Sequence, residues 1–157
     1  SDTGAIGLNA NGGGTSSITM ADVSTTNAAR ILSASGAVTL SASKDVALGM
    51  VNTGSAVGVT ATAGAITDNT ASETIANISG TNVTLSAGGS IGGTGTGADI
   101  DTSITAVKAT AGGNVGLRQL SGGRRHTDDA CHRRVLNGQS SGRVQRPDPL
   151  GRFHPGS

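Results

Sequence analysis

The stretch VTLSAGGSI, Val83 to Ile91, alternates apolar and hydroxyl side chains and then breaks at two glycines. In an extended chain Val83, Leu85 and Ala87 fall on one side, Thr84 and Ser86 on the other. That period of two is the mark of a strand with one buried face. After the turn, Gly89-Ser90-Ile91 supplies a second short apolar beat. The same text recurs along the chain. Val38-Thr39-Leu40-Ser41-Ala42 precedes Lys44-Asp45-Val46, and Val59-Thr60-Ala61-Thr62-Ala63 precedes Gly64-Ala65-Ile66. Val107-Lys108-Ala109-Thr110-Ala111 precedes Gly113-Asn114-Val115. Aligned on their first valines, Val38, Val59, Val83 and Val107, these copies are spaced by 21, 24 and 24 residues. A looser copy begins at Ile6-Gly7-Leu8-Asn9-Ala10, followed by Gly12 to Gly14.

A unit of roughly 20–25 residues with two or three short strands matches one coil of a β-solenoid. One coil cannot bury its apolar stripe alone. Stacked about 4.8 Å apart, coils pair each strand with the strands above and below it. Their inward residues then form ladders of Val, Leu, Ile and Ala in a narrow core. Thr on the outer face suits a solvated strand, and Gly and Asn suit the corners. No stretch shows a helical period of useful length; Ala28-Ala29-Arg30-Ile31-Leu32 is the best candidate, and Ser and Gly surround it. A flexible Gly/Ser/Thr linker has no reason to keep the ordered return of the unit. A two-sheet sandwich does not explain several near-copies of one unit. The expected fold is therefore all-β, a β-solenoid over residues 1–117.

Composition divides at the same place. Residues 1–117 hold 20 Ala, 20 Gly, 19 Thr and 14 Ser, with a net charge of −4 and no aromatic, Cys, His or Pro. Residues 118–157 hold eight Arg, all three His, the one Cys and the one Phe, with a net charge of +5. The overall +1 is a cancellation, and it makes no bulk case for nucleic acid or an anionic membrane. No apolar run approaches the roughly 20 residues of a membrane span. A lone Cys cannot build a disulfide framework or a four-thiolate zinc site within one chain.

The units NVTLSAGGSIGGTGTGADIDTSITAVKATAGGNVGL and GAVTLSASKDVALG resemble the repeat regions of large bacterial exoproteins. These are the filamentous-haemagglutinin-like adhesins of two-partner secretion and related autotransporter passengers. The resemblance covers roughly residues 1–117 and is one of repeat style. It implies export through an outer-membrane pore, a right-handed parallel β-helix, and adhesion to host cells or surfaces through the parent protein. The family's amino-terminal secretion domain, with its Asn-Pro motifs, has no counterpart in residues 1–117. The chain begins mid-pattern without Met and reads as an internal fragment.

Residues 118–157 do not continue the alternation. They read as a basic, low-order tail or as out-of-frame text. Allowed codons for Arg118 to Arg133, read one base later, translate as Asp-Asn-Ser-Ala-Ala-Ala-Gly-Asp-Thr-Leu-Met-Thr-Leu-Val-Thr, which is repeat-like. A frameshift near Arg118 is the expectation.

Each candidate site has a plainer reading. His126, Cys131 and His132 match no metal-ligand spacing and lack a fourth ligand. Ser121, His126 and Asp128 supply the residue types of a hydrolase triad without a nucleophile elbow. Arg124, Arg125, Arg133 and Arg134 could meet phosphates, but no aromatic interleaving supports base stacking. Gly92 to Ile100 approaches a calcium nonapeptide, with Gly97 and Ala98 displacing the acid to Asp99. Asn77-Ile78-Ser79 and Asn82-Val83-Thr84 are glycosylation sequons, a triplet common in such text. Thr60-Ala61-Thr62 resembles one rung of an ice-binding ladder that the other units do not repeat in register. Asp99 and Asp101 would share one strand face, with nothing else converging on them. No catalytic, cofactor or metal residue is assigned. The expected role is a structural and adhesive one, a stalk in a secreted or cell-surface protein. The alternatives are a carbohydrate-binding or polysaccharide-degrading passenger on the same fold and a fragment without independent function.

Overall fold

The computed structural model describes residues 3–21, 29–95 and 97–120. They form strands β1 (Ile6–Ala10), β2 (Ile18–Thr19), β3 (Arg30–Ser33), β4 (Val38–Ala42), β5 (Val46–Leu48) and β6 (Met50–Thr53). There follow β7 (Val57–Ala61), β8 (Ile66–Asp68), β9 (Ile78–Ala87), β10 (Ile100–Ala111) and β11 (Leu117–Gln119). No described residue is helical, so no helix among them is long and apolar enough to cross a membrane. The fold is all-β, and its strand pairs are parallel.

The chain returns to the same three rows in turn. In the first row β1, β4, β7, the second half of β9 and the second half of β10 lie side by side. Its inward columns are Ile6–Val38–Val57–Val83–Val107, Leu8–Leu40–Val59–Leu85–Ala109 and Ala10–Ala42–Ala61–Ala87–Ala111. The outward columns between them carry Thr39 and Thr84, and Ser41, Thr60, Ser86 and Thr110. The second row is shorter: β2, β5 and β8, continued by bridges to Ile91 and Val115. The third row joins β3, β6, the start of β9, the start of β10 and β11.

Alternation produces this core directly. Val38, Leu40, Ala42, Val46, Leu48, Ile66, Leu85 and Ile91 are all fully buried. Among the described residues the buried hydrophobic side chains are Ala, Val, Leu, Ile and Met20, with no ring among them. The corners are equally tight. A Cβ on Gly88 would overlap the carbonyl oxygen of Thr62 one rung below. Gly58, on the outward side of β7, meets nothing closer than Thr39 at 3.9 Å.

The register differs from the simple alignment of valines. Val38 pairs with Val57, and Leu40 with Val59, so β7 starts two residues before Val59. A slip of two preserves which side chains face inward, which is why alternation alone does not detect it. Of the helical candidate Ala28 to Leu32, Ala28 lies outside the described residues and Arg30 to Leu32 belong to β3, paired in parallel with β6. Its Ile31 sits beside Val51, and the core contact outweighs local helix propensity. The compositional boundary between Leu117 and Arg118 falls inside β11.

Burial ends abruptly at the first and last rungs. Leu8 is 38% exposed although its column neighbour Leu40 is at 0%. At the other end Val107 is 47% exposed and Val115 49%, while Val83 and Ile91 beneath them are buried.

Candidate functional site

The third row loses its apolar character as it rises. Ile31, Val51 and Ile78 are followed in the same column by Thr102 and Gln119. The neighbouring column runs Arg30, Met50, Asn77, Asp101, Arg118, as the pairings of β3, β6, β9, β10 and β11 dictate. Three consecutive polar side chains thus stack on one another, with Asn77 and Asp101 fully buried. Each must find partners there, because an unpaired buried polar group is costly.

Asn77 lies just before β9 and is fully buried. Its Nδ2 donates to Asp68 Oδ1 at 2.6 Å. Its Oδ1 accepts the backbone N–H of Asp101 at 2.7 Å. Asp68 Oδ1 also accepts from the Thr70 backbone N–H at 2.7 Å and hydroxyl at 2.8 Å. One amide side chain therefore ties together β8, the loop after it and β10.

The Asp101 side chain is 0% exposed, and Arg118 in the next rung meets it with a fork. Nε donates to Oδ1 at 2.5 Å and Nη2 to Oδ2 at 2.6 Å. This two-pronged, charge-assisted geometry is the strong form of the pair. Nη2 also donates to the Glu73 carbonyl at 2.6 Å and reaches Glu73 Oε2 at 3.2 Å. Asp99 Oδ2 stands 3.5 Å from Nε. The hydrogen bond that Arg118 donates to Asp101 is the main cause that raises its guanidinium above its ordinary value; burial opposes it, and the charges of Asp101, Asp99 and Glu73 add to it. Breaking such a buried pair leaves an uncompensated carboxylate, which is far worse than never having had the pair.

A general acid or base must touch a substrate proton, and both Asp101 oxygens are occupied and enclosed. Asp68 Oδ2 and Asp99 Oδ1 are buried without a hydrogen-bond partner among the described residues. Among the described residues no group of three His, Cys, Asp or Glu is arranged to hold a metal ion.

Asp99 and Asp101 do not stand alone, contrary to the reading of their strand face. Glu73, Asn77 and Arg118 converge on them from the loop after β8, from the position before β9 and from β11. The stretch Gly92 to Ile100 forms a turn in which the Gly93 N–H donates to the Ala98 carbonyl at 2.5 Å and the Ala98 N–H to the Gly95 carbonyl at 3.0 Å. Its Asp99 faces Arg118; Thr96 lies outside the described residues. Of the sequon asparagines, Asn77 is buried and bonded, whereas Asn82 is exposed. Thr60 joins an outward column with Ser41, Ser86 and Thr110, so hydroxyls do repeat above and below it. Ser121, Arg124, Arg125, His126, Asp128, Cys131, His132, Arg133 and Arg134 lie outside the described residues.

The missed residue is Arg118. It is 17 positions from Asp101 and 45 from Glu73, and only the third row brings them together. No family model matches the chain, and no curated protein or solved structure matches it at a significant level.

Proposed function

We propose that the repeat segment, residues 1–117, consists of successive coils of a right-handed parallel β-helix and serves as a structural, stalk-forming segment of a secreted bacterial surface adhesin. The observation that carries this reading is the set of in-register columns, aliphatic inside and hydroxyl outside, repeated rung after rung. A segment of this kind gains length with each coil and holds binding regions away from the cell. The filamentous-haemagglutinin-like repeat style adds the export route, an outer-membrane pore, and the parent protein's contacts with host-cell or surface ligands. The gathered polar groups fit the same role: Arg118, Asp101 and Asn77 link rungs to one another.

Circular dichroism and small-angle scattering on the chain joined to its neighbouring repeats test the proposal. The expected result is a β-rich spectrum with an elongated profile whose long dimension grows by about 4.8 Å per added coil. A random-coil spectrum, or a globular profile independent of coil number, overturns it. Specific binding to a glycan array or lyase activity by the isolated segment would favour a carbohydrate-active passenger instead.

A further inference from the structure

The sequence holds two Asn-x-Ser/Thr triplets, Asn77-Ile78-Ser79 and Asn82-Val83-Thr84, and the fold treats their asparagines in opposite ways. Asn77 is fully buried. Its Nδ2 donates to Asp68 Oδ1 at 2.6 Å and stands 3.4 Å from the carbonyl oxygens of Leu48 and Gly49. Its Oδ1 accepts the Asp101 N–H. A sugar on that nitrogen would need room where Asp68, Leu48 and Gly49 already stand, and it would break the bond to Asp68.

Asn82 is in a different position. It lies within β9, with β7 on one side and β10 on the other, so its exposure does not depend on either end of the chain. Val83 is buried and faces inward. Alternation therefore puts Asn82 and Thr84 together on the outer side, about 6.6 Å apart along the strand. Both are exposed, and neither side chain is hydrogen-bonded to a described residue. The neighbours across the rungs are small. Ala106 pairs with Asn82 in β10, and Ala56 directly precedes Val57, the partner of Val83 in β7. Beside Thr84 stands Gly58, where an added Cβ would meet nothing closer than 3.9 Å. On the other side stands Lys108, itself exposed.

We propose that Asn82 carries an N-linked sugar in the folded protein and that Asn77, in the same kind of triplet, does not. The donor is a phosphate-activated sugar. The Asn82 amide nitrogen forms a bond to the anomeric carbon. The bond from that carbon to the phosphate oxygen breaks, and the phosphate leaves with the electron pair. The amide gives up one proton to a base of the transferring enzyme. Transfer takes place before the rungs close, while both triplets are accessible; folding then accommodates a sugar on Asn82 and excludes one on Asn77. This assignment rests on the place of Asn82 in the stack and holds whether or not the segment is adhesive.

Coexpression of the full chain with a soluble N-glycosyltransferase that uses nucleotide-activated glucose tests it. An unstructured Asn-Val-Thr reporter peptide in the same cells confirms that the enzyme is active. Peptide mapping by mass spectrometry of the soluble, β-rich protein should find a hexose on Asn82 and none on Asn77. Asn82→Gln and Thr84→Val should lose the adduct and keep the wild-type circular dichroism, because both positions face outward. Thr84→Ser should keep the adduct. The same map of the protein recovered from the cells that make it should show a sugar on Asn82. An unmodified Asn82 in either preparation, with the reporter modified, overturns the proposal. A hexose on Asn77 of the folded protein overturns it too, as does loss of the β spectrum when Asn82 is glucosylated.

Discussion

Leu85→Ala measures whether the inward columns are the core. Leu85 is fully buried, between Val59 in the rung below and Ala109 in the rung above. The substitution removes three carbons, worth about 2.4 kcal/mol of transfer free energy at ~0.8 kcal/mol each. The cavity term comes on top. Backbone hydrogen bonds hold successive rungs at fixed spacing, so Val59 and Ala109 cannot close the gap, and the total loss is about 3–4 kcal/mol. Val107→Ala is the paired control. Its side chain is 47% exposed at the open end, so its removal should cost less than about 1 kcal/mol. The assay is urea denaturation followed by far-ultraviolet circular dichroism, comparing midpoints at equal slope. If both variants lose the same stability, or Leu85→Ala loses less than Val107→Ala, the inward columns are not the core and the register described here is wrong.

Other substitutions probe the corners and the polar column. Gly58→Thr should stabilise by up to about 1 kcal/mol, because it adds a strand-favouring side chain where there is space, whereas Gly88→Ala should destabilise by about 1–3 kcal/mol through overlap with the Thr62 carbonyl; thermal midpoints rank the two. Asn77→Ala should cost at least about 1–3 kcal/mol, since it orphans the buried Asp101 N–H, and hydrogen exchange should show faster opening at the start of β10. Arg118→Met should destabilise by a pH-independent amount across the neutral and mildly alkaline range. The folded-state value of Arg118 is raised, so its contribution is fully present below the ordinary arginine value and is lost only above it. A midpoint difference between wild type and Arg118→Met that shrinks between about pH 7 and pH 9 would contradict the assignment.

Much of the fold was legible one strand at a time. Val38–Ala42 is strand β4 from end to end, and Val83–Ala87 and Val107–Ala111 lie within β9 and β10. The second apolar beats Val46, Ile66, Ile91 and Val115 stand in one row. The third row was not legible, because its residues do not repeat. Ile31, Val51 and Ile78 give way to Thr102 and Gln119, and the connecting segments differ in length. Sequence similarity between units cannot align what the units do not share. The candidate site was hidden for the same reason. Asp101 resembled an ordinary outward acid, and Arg118 the first residue of a basic tail.

The sequence by itself determined which side chains of each strand face inward. Period-two alternation of Val, Leu and Ala against Thr and Ser decides that, and no register slip by two can change it. It also determined that the core is narrow and aliphatic, since the repeat contains no ring to place there. Only the tertiary structure decided which rung lies on which: that Val38 meets Val57 rather than Val59, and that Arg118 closes over Asp101. Stacking depends on the length of each connection and on the close approach of corner glycines to the backbone below. Those constraints act between residues 17 to 45 positions apart, and they exist only once the chain has come back round to meet itself.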